Sequence, residues 1–272
     1  MQEIKTEIVD AEIVYQQDKA QIDMQISTAK KYPRNIVKST ENSIAIVTMD
    51  TKTAQSCNYS VPRGGKTISG PSVHLARILA QNWSNLRVEA KVTSIEQTQV
   101  VSEAVAYDLE NNYAVKIEVR KSITGKNGRF QDDMITVTGN AANATAFRNA
   151  IFNVIPREVT DKVHQAAKNF VTGDLSDKEK LTNKRIKVLK QLKDAYNVNE
   201  EDVLETLGKA SVVNISSDDI VTIIGIMQAI QDGDSTIDLS FRSHKIKFED
   251  KKERLKKKKE ALKKKGTKPK LP

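Results

Sequence analysis

The chain has 272 residues, a formal net charge of +9, an apolar fraction of 38% and an aromatic fraction of 5%. Its length suits one domain of about 150 residues and a smaller second one, and its single cysteine, Cys57, excludes an internal disulfide framework and indicates a reducing compartment. No apolar run approaches the roughly 20 residues of a membrane span, and the acidic N-terminus does not resemble a signal peptide, so we expect an intracellular protein without a membrane partner.

The positive charge is concentrated in two parts of the chain. Formal charges sum to −2 over residues 1–51, +5 over 52–168, −4 over 169–244 and +10 over 245–272. The last segment lacks the apolar residues of a core, so residues 242–272 are predicted to form a disordered or partly helical basic tail that attracts polyanions. The charge of the middle segment is the more specific indication of a nucleic-acid partner.

The first 50 residues predict a helical segment, to which we assign a role in oligomerisation. The polar stretch QDKAQIDMQISTAKKYPR reads as a helix that ends at Pro33, because proline lacks the N–H that a continuing helix needs. A second piece, helical or strand-like, extends to Met49 and includes the strand-like run SIAIVTM at 43–49.

The next stretch, SCNYSVPRGGKTISGPSVHLARILAQNW, contains the tetrapeptide GGKT. A Walker A loop needs a glycine where this chain has Ser60, and its Lys-Thr pair should open a helix. Here the helix is predicted to begin at 69–71, with Pro71 in its first turn. We therefore expect an exposed turn in which Arg63 and Lys66 flank two flexible glycines. Such a turn suits an anion, of which nucleic-acid phosphate is one candidate; a solvated surface loop is the alternative.

The hydrophobic period then changes along the chain. The helix up to Trp83 places its apolar residues on one face: Val73, Ala76, Leu79, Ala80 and Trp83. His74, Arg77 and Gln81 lie on another face. The segments LRVEAKVTSIE, VVSEAVAYDL and YAVKIEVRKSIT predict a meander of three antiparallel strands, because two of them alternate apolar and charged residues and Glu110-Asn111-Asn112 reads as a tight turn.

Helical patterns fill the rest of the chain. A basic hairpin tip, TGKNGRF, leads to an alanine-rich helix that buries Phe147, Ile151 and Val154. A second helix runs from Pro156, in its first turn, to a stop at Gly173. Three short capped helices then predict a small bundle-like module.

The sequence therefore predicts an α+β protein: a three-stranded antiparallel β-meander flanked by helices, followed by a small C-terminal helical module and a basic tail. The predicted domains are an N-terminal helical segment (1–50), a core (51–174), the helical module (175–241) and the tail (242–272).

The segments CNYSVPRGGKTISGPSVHLARILAQNW, DDMITVTGNAANATAFRNAIFNVIPREVTDKVHQAAK and GIMQAIQDG, together with the meander, resemble a family of phage and prophage single-strand annealing recombinases. The resemblance covers about residues 30–240 and is to the Redβ, RecT and Erf group, whose core is similar to that of eukaryotic strand-annealing proteins. It implies a homo-oligomer, as a ring or helical filament, that lays single-stranded DNA along a basic groove and pairs it with a complementary strand without ATP.

The same resemblance implies partners and a location. The partners are single-stranded DNA, the annealed duplex intermediate, and additionally a phage exonuclease and a host single-strand-binding protein. The location is the cytoplasm of a bacterial host, and no cofactor is implied.

Candidate DNA contacts are basic residues in the core: Arg63, Lys66, His74, Arg77, Lys116, Arg120, Lys126, Arg129, Arg148, Arg157 and Lys162. Candidates for base stacking are Tyr59, Trp83 and Phe147. Each residue has a structural alternative. Arg77 suits a salt bridge, Lys116 and Arg120 suit cross-strand ion pairs around Glu118, and the remaining cations suit solvation. Aromatic residues at helical spacing usually belong to a core.

Enzymatic readings find little support in the sequence. The three histidines are far apart: His74, His164 and His244. None has a second histidine or cysteine at metal-ligand spacing, so we expect no zinc site. The pairs Asp132-Asp133 and Asp218-Asp219 could indicate a two-metal nuclease, but the first follows a hairpin tip and the second suits a helix N-terminus. We expect a binding protein without catalytic residues. The alternatives are a single-strand coating protein that does not pair strands, and an assembly protein that its basic tail merely tethers.

Overall fold

The computed structural model describes residues 2–63, 66–125, 128–173 and 178–242, without the side chains of residues 2–12, 14, 63 and 66. It has the predicted α+β composition, with helices predominating and all strand pairing antiparallel in the three-stranded sheet. The chain divides into two compact units. Unit 1 comprises residues 1–59 and 70–173, and unit 2 comprises residues 60–69 and 174–272.

Three helices precede the first strand: α1 (Gln2–Lys31), α2 (Ile36–Val47) and α3 (Thr51–Ser56). Asn35 caps α2 by accepting a hydrogen bond from the backbone N–H of Lys38 at 3.0 Å. The strand-like alternative for 43–49 is wrong. Buried Ser39, Ser43 and Val47 repeat every four residues, which is the period of a helix face.

The GGKT stretch lies between two strands that the sequence did not predict. β1 (Asn58–Arg63) and β2 (Lys66–Pro71) pair in a two-stranded sheet. The following helix, α4 (Val73–Trp83), begins after Ser72, whose Oγ accepts hydrogen bonds from the N–H groups of His74 and Leu75. Pro71 therefore ends a strand and does not lie in the first helical turn.

The predicted meander is confirmed. β3 (Leu86–Ile95), β4 (Gln99–Asp108) and β5 (Tyr113–Ser122) form an antiparallel sheet in the order β3-β4-β5. Asn112 has a positive φ of 52° in the turn before β5, where asparagine is tolerated better than most residues.

One face of the meander is covered by a long helix. The short strands β6 (Thr124–Gly125) and β7 (Gly128–Arg129) form the predicted basic hairpin, whose tip at 126–127 lies outside the described residues. The helix α5 (Asp132–Val154) then packs on the sheet through small residues. A Cβ at Gly139 would lie 3.2 Å from Cγ2 of Val92, so glycine permits this close approach.

Helix α6 (Arg157–Thr172) completes unit 1 and ends at Gly173, which has a φ of +63°. Besides residues 60–63 of β1 and 66–69 of β2, the described part of unit 2 contains the predicted helices and two further short elements. Its elements are α7 (Lys178–Tyr196), α8 (Glu200–Leu207), a 3-10 turn (Val212–Asn214), α9 (Ser217–Gln231) and α10 (Ile237–Phe241). Ser216 and Asp219 form a capping box at the start of α9, as the acidic pair at this position suggested.

A membrane-crossing helix is absent from the described ranges, because none of their helices combines sufficient length with sufficient apolar character.

A buried arginine joins the N-terminal helices to the meander. The guanidinium of Arg34 forms an ion pair with Asp108 at the end of β4, and its Nε lies 3.0 Å from Oε1 of Glu110. The backbone N–H of Arg34 donates to the same Glu110 oxygen at 2.8 Å. The side chains of Arg34 and Asp108 are only 4% and 6% exposed. The guanidinium also lies 4.8 Å from the ring centroid of Trp83 in α4.

The charges in this cluster depend on one another. Burial alone would raise the pKa of Asp108, but hydrogen bonds from Arg34 and Asn111 and the charge of Arg34 outweigh it, so the pKa is lowered. Burial alone would also raise the pKa of Glu110. Hydrogen bonds from Asn85 and Arg34 outweigh this effect, so the pKa of Glu110 is lowered too. Both carboxylates are therefore held in the ionised form that the buried guanidinium needs.

We expect Asp108→Ala to lower the free energy of unfolding by about 3–5 kcal/mol, because it leaves a buried guanidinium with a missing partner. Glu89→Ala, which removes an exposed partner of Arg87, should cost about 1 kcal/mol or less. Urea unfolding at neutral pH measures both.

The lowered pKa values also set the acid dependence of stability. Groups with a depressed folded-state pKa contribute stability above their ordinary pKa, 3.8 for aspartate, and lose it as the pH falls through the folded-state value. Asp108→Ala should therefore unfold with a weaker acid dependence than the natural chain. Equal costs for Asp108→Ala and Glu89→Ala would contradict the role given to the cluster.

Candidate nucleic-acid interface

The second half of GGKT, Lys66-Thr67, lies in a strand. Arg63 is the last residue of β1 and Lys66 is the first residue of β2. A Walker A loop passes into a helix at its lysine, so that the helix N-terminus faces the phosphates. This chain continues into a strand instead, which argues against a Walker loop. The two glycines and the side chains of Arg63 and Lys66 lie outside the described part of the chain.

The structure brings together two candidates from distant parts of the sequence. The guanidinium carbon of Arg148, on α5, lies 4.6 Å from the ring centroid of Tyr59, the second residue of β1. Both side chains are half-buried. Nε and Nη2 of Arg148 also lie 3.3 Å from Oδ1 of Asn149, and no described residue accepts a hydrogen bond from Nη1. The stack therefore fixes the plane of a cation that keeps free donors for an anion.

Hydrogen bonds connect the start of β1, next to Tyr59, to neighbouring elements. The side chain of Asn58 donates to the backbone oxygen of Ala54 at 2.9 Å and lies 3.1 Å from Nε2 of His164 on α6. The backbone N–H of Ser72 donates to the oxygen of Cys57 at 3.0 Å. The start of β1 is thus tied to α3, to α6 and to the cap of α4.

Two buried groups near the start of β1 have strongly shifted pKa values. Burial, reinforced by the charge of Lys168, lowers the pKa of His164 to about 4. Burial raises the pKa of the Cys57 thiol to about 12. At neutral pH, His164 is therefore a neutral hydrogen-bonding partner and Cys57 an unreactive apolar residue, so both serve structure.

Helix α4 presents its polar face as predicted. Val73, Ala76, Leu79 and Trp83 are buried, together with Leu75, whereas Arg77 is exposed and His74 is half-buried. Arg77 is therefore accessible to a ligand.

Lys116 and Arg120 lie on the other side of the meander from Arg148. The pairing register places Lys116 opposite Val105, on the sheet face that α5 does not cover; the covered face carries Val100, Ala104 and Ala106. Nζ of Lys116 lies 2.6 Å from Oε2 of Glu103, and Nε of Arg120 lies 2.8 Å from Oε1 of Glu118. Both residues are thus ion-paired, but not as cross-strand pairs around Glu118: Lys116 pairs across strands with Glu103, and Arg120 pairs with Glu118 on its own strand. The candidates do not form one continuous surface.

The base-stacking prediction is wrong for two of the three aromatic residues, because both pack in the protein. Trp83 is only 3% exposed and its ring is covered by Arg34, so it is not available to stack on a base. Phe147 is half-buried and packs against the main core. Of the three aromatic residues, Tyr59 alone contacts a candidate cation among the described residues.

Four further candidate DNA contacts either lie in local interactions or on an exposed helix surface, or fall outside the described residues. Nη1 of Arg129 donates to the backbone oxygens of residues 96 and 97, at 2.6 and 2.7 Å, so Arg129 closes the β3–β4 turn. Arg157 pairs with Asp161 at 3.2 Å on the surface of α6, where Lys162 is also exposed. Lys126 lies outside the described residues.

A basic surface in unit 2 was not recognised from the sequence. Residues 178–196, which form α7, carry +5, whereas residues 197–241 carry −8. The exposed cations on α7 are Lys178, Lys180, Lys187, Lys190 and Lys193. The sum over 169–244 concealed this helix because its charge was combined with that of its acidic neighbours.

Within the described ranges, no group of three or more His, Cys, Asp or Glu side chains could hold a metal ion. Asp132 and Asp133 lie in the first turn of α5, and Asp219 caps α9. Comparisons of the chain with protein-family models, with curated proteins and with solved structures found no match.

The lowered pKa of His164 predicts a pH-dependent stability. A histidine whose pKa in the folded state lies below its ordinary value of 6.5 does not change the free energy of unfolding above that pH. As the pH falls from 6.5 toward 4, it lowers the free energy of unfolding progressively, because the unfolded chain binds the proton more readily. Between about pH 8 and pH 5 the loss should be roughly 2 kcal/mol. His164→Gln, which keeps a donor and an acceptor for Asn58 but does not titrate, should lose less over the same range in urea unfolding. Parallel pH profiles for the two proteins would contradict this prediction.

Proposed function

We propose that this protein is a single-strand annealing protein of the phage recombinase type, which binds single-stranded DNA as a homo-oligomer and promotes ATP-independent pairing of complementary strands. The observation that carries the proposal is the stacking of Arg148 on Tyr59 beside the strand that leads to Arg63. A guanidinium held in a fixed plane recognises phosphate with little loss of conformational entropy.

The order of elements supports the same proposal. Along the chain, β1 and β2 are followed by the helix α4, by the meander β3-β4-β5 and then by the long helix α5 that covers it. The resemblance in sequence implies a strand-annealing core of meander and helices, and this order is compatible with such a core. That relation remains a part of the proposal.

The DNA path is assigned to the side of unit 1 that carries Arg148. Glu103 and Glu118 neutralise Lys116 and Arg120 on the opposite sheet face, so that face offers little net attraction for a phosphate chain. Arg77 of unit 1 is proposed as a further contact on this path, and Arg63 and Lys66 are proposed as separate contacts in unit 2. Backbone contacts of this kind leave the base edges free to pair.

The pairing reaction needs no nucleotide hydrolysis in this proposal. Lys66 opens a strand, and base pairing itself supplies the free energy, while the cations offset repulsion between the two phosphate chains. No cofactor is invoked.

Assembly is proposed to accompany DNA binding. In the described sheet β3 and β5 each pair with a strand on one side only, and their other edges are the proposed positions for contacts with a neighbouring copy. The proposed setting is the cytoplasm of a bacterial host, with a phage exonuclease and a host single-strand-binding protein as further partners.

The decisive experiment follows the annealing of two complementary oligonucleotides without ATP or magnesium. We expect the protein to accelerate pairing, and a complex loaded with one strand and then its complement to resist salt better than either single-strand complex. A protein that binds one strand but slows pairing would be a coating protein. A requirement for ATP, or an absence of binding, would also overturn the proposal.

Substitutions of the proposed contact residues test the assigned DNA path. Arg148→Ala should lower the slope of log affinity against log salt by about 0.7, the value of one single-strand phosphate contact, and Arg63→Ala/Lys66→Ala by about 1.4. Arg157→Ala, which removes the same charge from an 87% exposed side chain, is the matched control for Arg148. Lys38→Ala/Lys52→Ala, on exposed helical positions, is the control for the double variant. Equal slopes for a variant and its control would remove that contact from the path.

The basic tail is tested by deletion of residues 244–272, which removes 14 Lys and Arg residues. Arg242 is retained, because its Nη2 donates to the oxygen of Asn197 at 2.7 Å within unit 2. We expect weaker binding with a shallower salt dependence and an unchanged oligomer mass in light scattering. A truncated protein that becomes monomeric would show that the tail serves assembly.

A further inference from the structure

Helix α1 is long, and a stretch of its described side chains is exposed. Its 30 residues span about 45 Å. The described side chains between residues 13 and 21 are all exposed, and close packing begins only near the C-terminal end, where Ala29 is fully buried. A helix of ordinary composition is marginally stable in water unless an apolar face packs on something. The described stretch of α1 from residue 13 to residue 21 therefore needs a partner.

The exposed part of α1 carries an apolar stripe. Ile13, Ala20 and Met24 are separated by seven and four residues, which places them on one side of the helix. Ile13 is 49% exposed and Met24 is 69% exposed. Met24 also borders an apolar groove of about 300 Å³ between α1 and the start of β3, which Thr28, Leu86 and Leu109 line as well.

The charges along α1 are self-complementary in one orientation. Residues 2–23 of α1 carry −4, and residues 24–31 carry +2. Lys30 and Lys31 are exposed at the basic end, and Asp18 and Asp23 are exposed in the acidic part. Two copies of α1 side by side in parallel would place like charges together, whereas an antiparallel pair places each acidic part beside a basic end and also opposes the two helix dipoles favourably.

We propose that α1 pairs antiparallel with α1 of a second copy of the chain, with Ile13 of each copy beside Met24 and the apolar groove of the other. The contact is isologous, because the same two patches meet twice around a two-fold axis. It buries Ile13 and Met24 of each copy and supplies packing for the exposed stretch of the helix. This interface requires no DNA and adds to any contacts between sheet edges.

Cysteine cross-linking tests the orientation. Cys57 is buried and its thiol has a raised pKa, so engineered cysteines react without background from it. Ile13→Cys and Met24→Cys chains, co-expressed and oxidised, should form a disulfide-linked dimer between the two variants, while each variant alone should give little. Dimers formed by each variant alone would indicate a parallel pair. No cross-link in any combination would overturn the proposal.

Charge reversal provides an independent test in light scattering without DNA. With Ile13 beside Met24, Lys30 and Lys31 face the part of the other helix that contains Glu7 and Asp10. Glu7→Lys/Asp10→Lys and Lys30→Glu/Lys31→Glu should each reduce the particle mass relative to the natural chain. A mixture of the two variants should restore it, because both contacts of the mixed pair are again complementary. Restoration also shows that each variant is folded. Unchanged masses for the separate variants, or no recovery in the mixture, would mean that another protein or another segment covers α1.

Discussion

The buried guanidinium of Arg34 is the contact on which the architecture of unit 1 depends. It joins the linker between α1 and α2 to the end of β4 through Asp108 and to the following turn through Glu110, and its flat face covers Trp83 of α4. A buried cation is tolerable only when its carboxylate partners are in place and ionised. The N-terminal helices, α4 and the meander are therefore stable only as an assembled set, which favours cooperative folding of unit 1.

Local periodicity made much of this fold predictable. The alternation in β3 and β5 and the helical spacing in α4 and α6 depend on neighbouring residues, so the sequence displays them directly. β1 and β2 have no such alternation, because NYSVPR and KTISGP are mostly polar segments interrupted by proline and glycine. Ser72 was an available signal for the start of α4, since serine before an apolar run suits an N-cap, but Pro71 was given greater weight.

The contacts of the candidate site could not be predicted from the sequence, because they join residues that are far apart along the chain. Arg34 meets Asp108 across 74 residues, and Tyr59 meets Arg148 across a comparable interval, with no local pattern to indicate either contact. The candidate cations were identified by residue type, but their side of the meander depends on strand register and on which face α5 covers. Lys116 and Arg120 therefore fall on one side and Arg148 on the other.

The separation of charge in unit 2 has a consequence for how that unit meets a charged surface. With α7 at +5 and residues 197–241 at −8, the helical part of unit 2 over residues 178–241 is an electric dipole with a net charge of −3. At separations beyond the Debye length of about 8 Å in physiological salt, such a body experiences little force from a polyanion. At closer range the force depends on orientation: an approach with α7 foremost is attractive, and an approach with the acidic helices foremost is repulsive. The field of a nucleic acid would thus align residues 178–241 even though their net charge alone would predict repulsion.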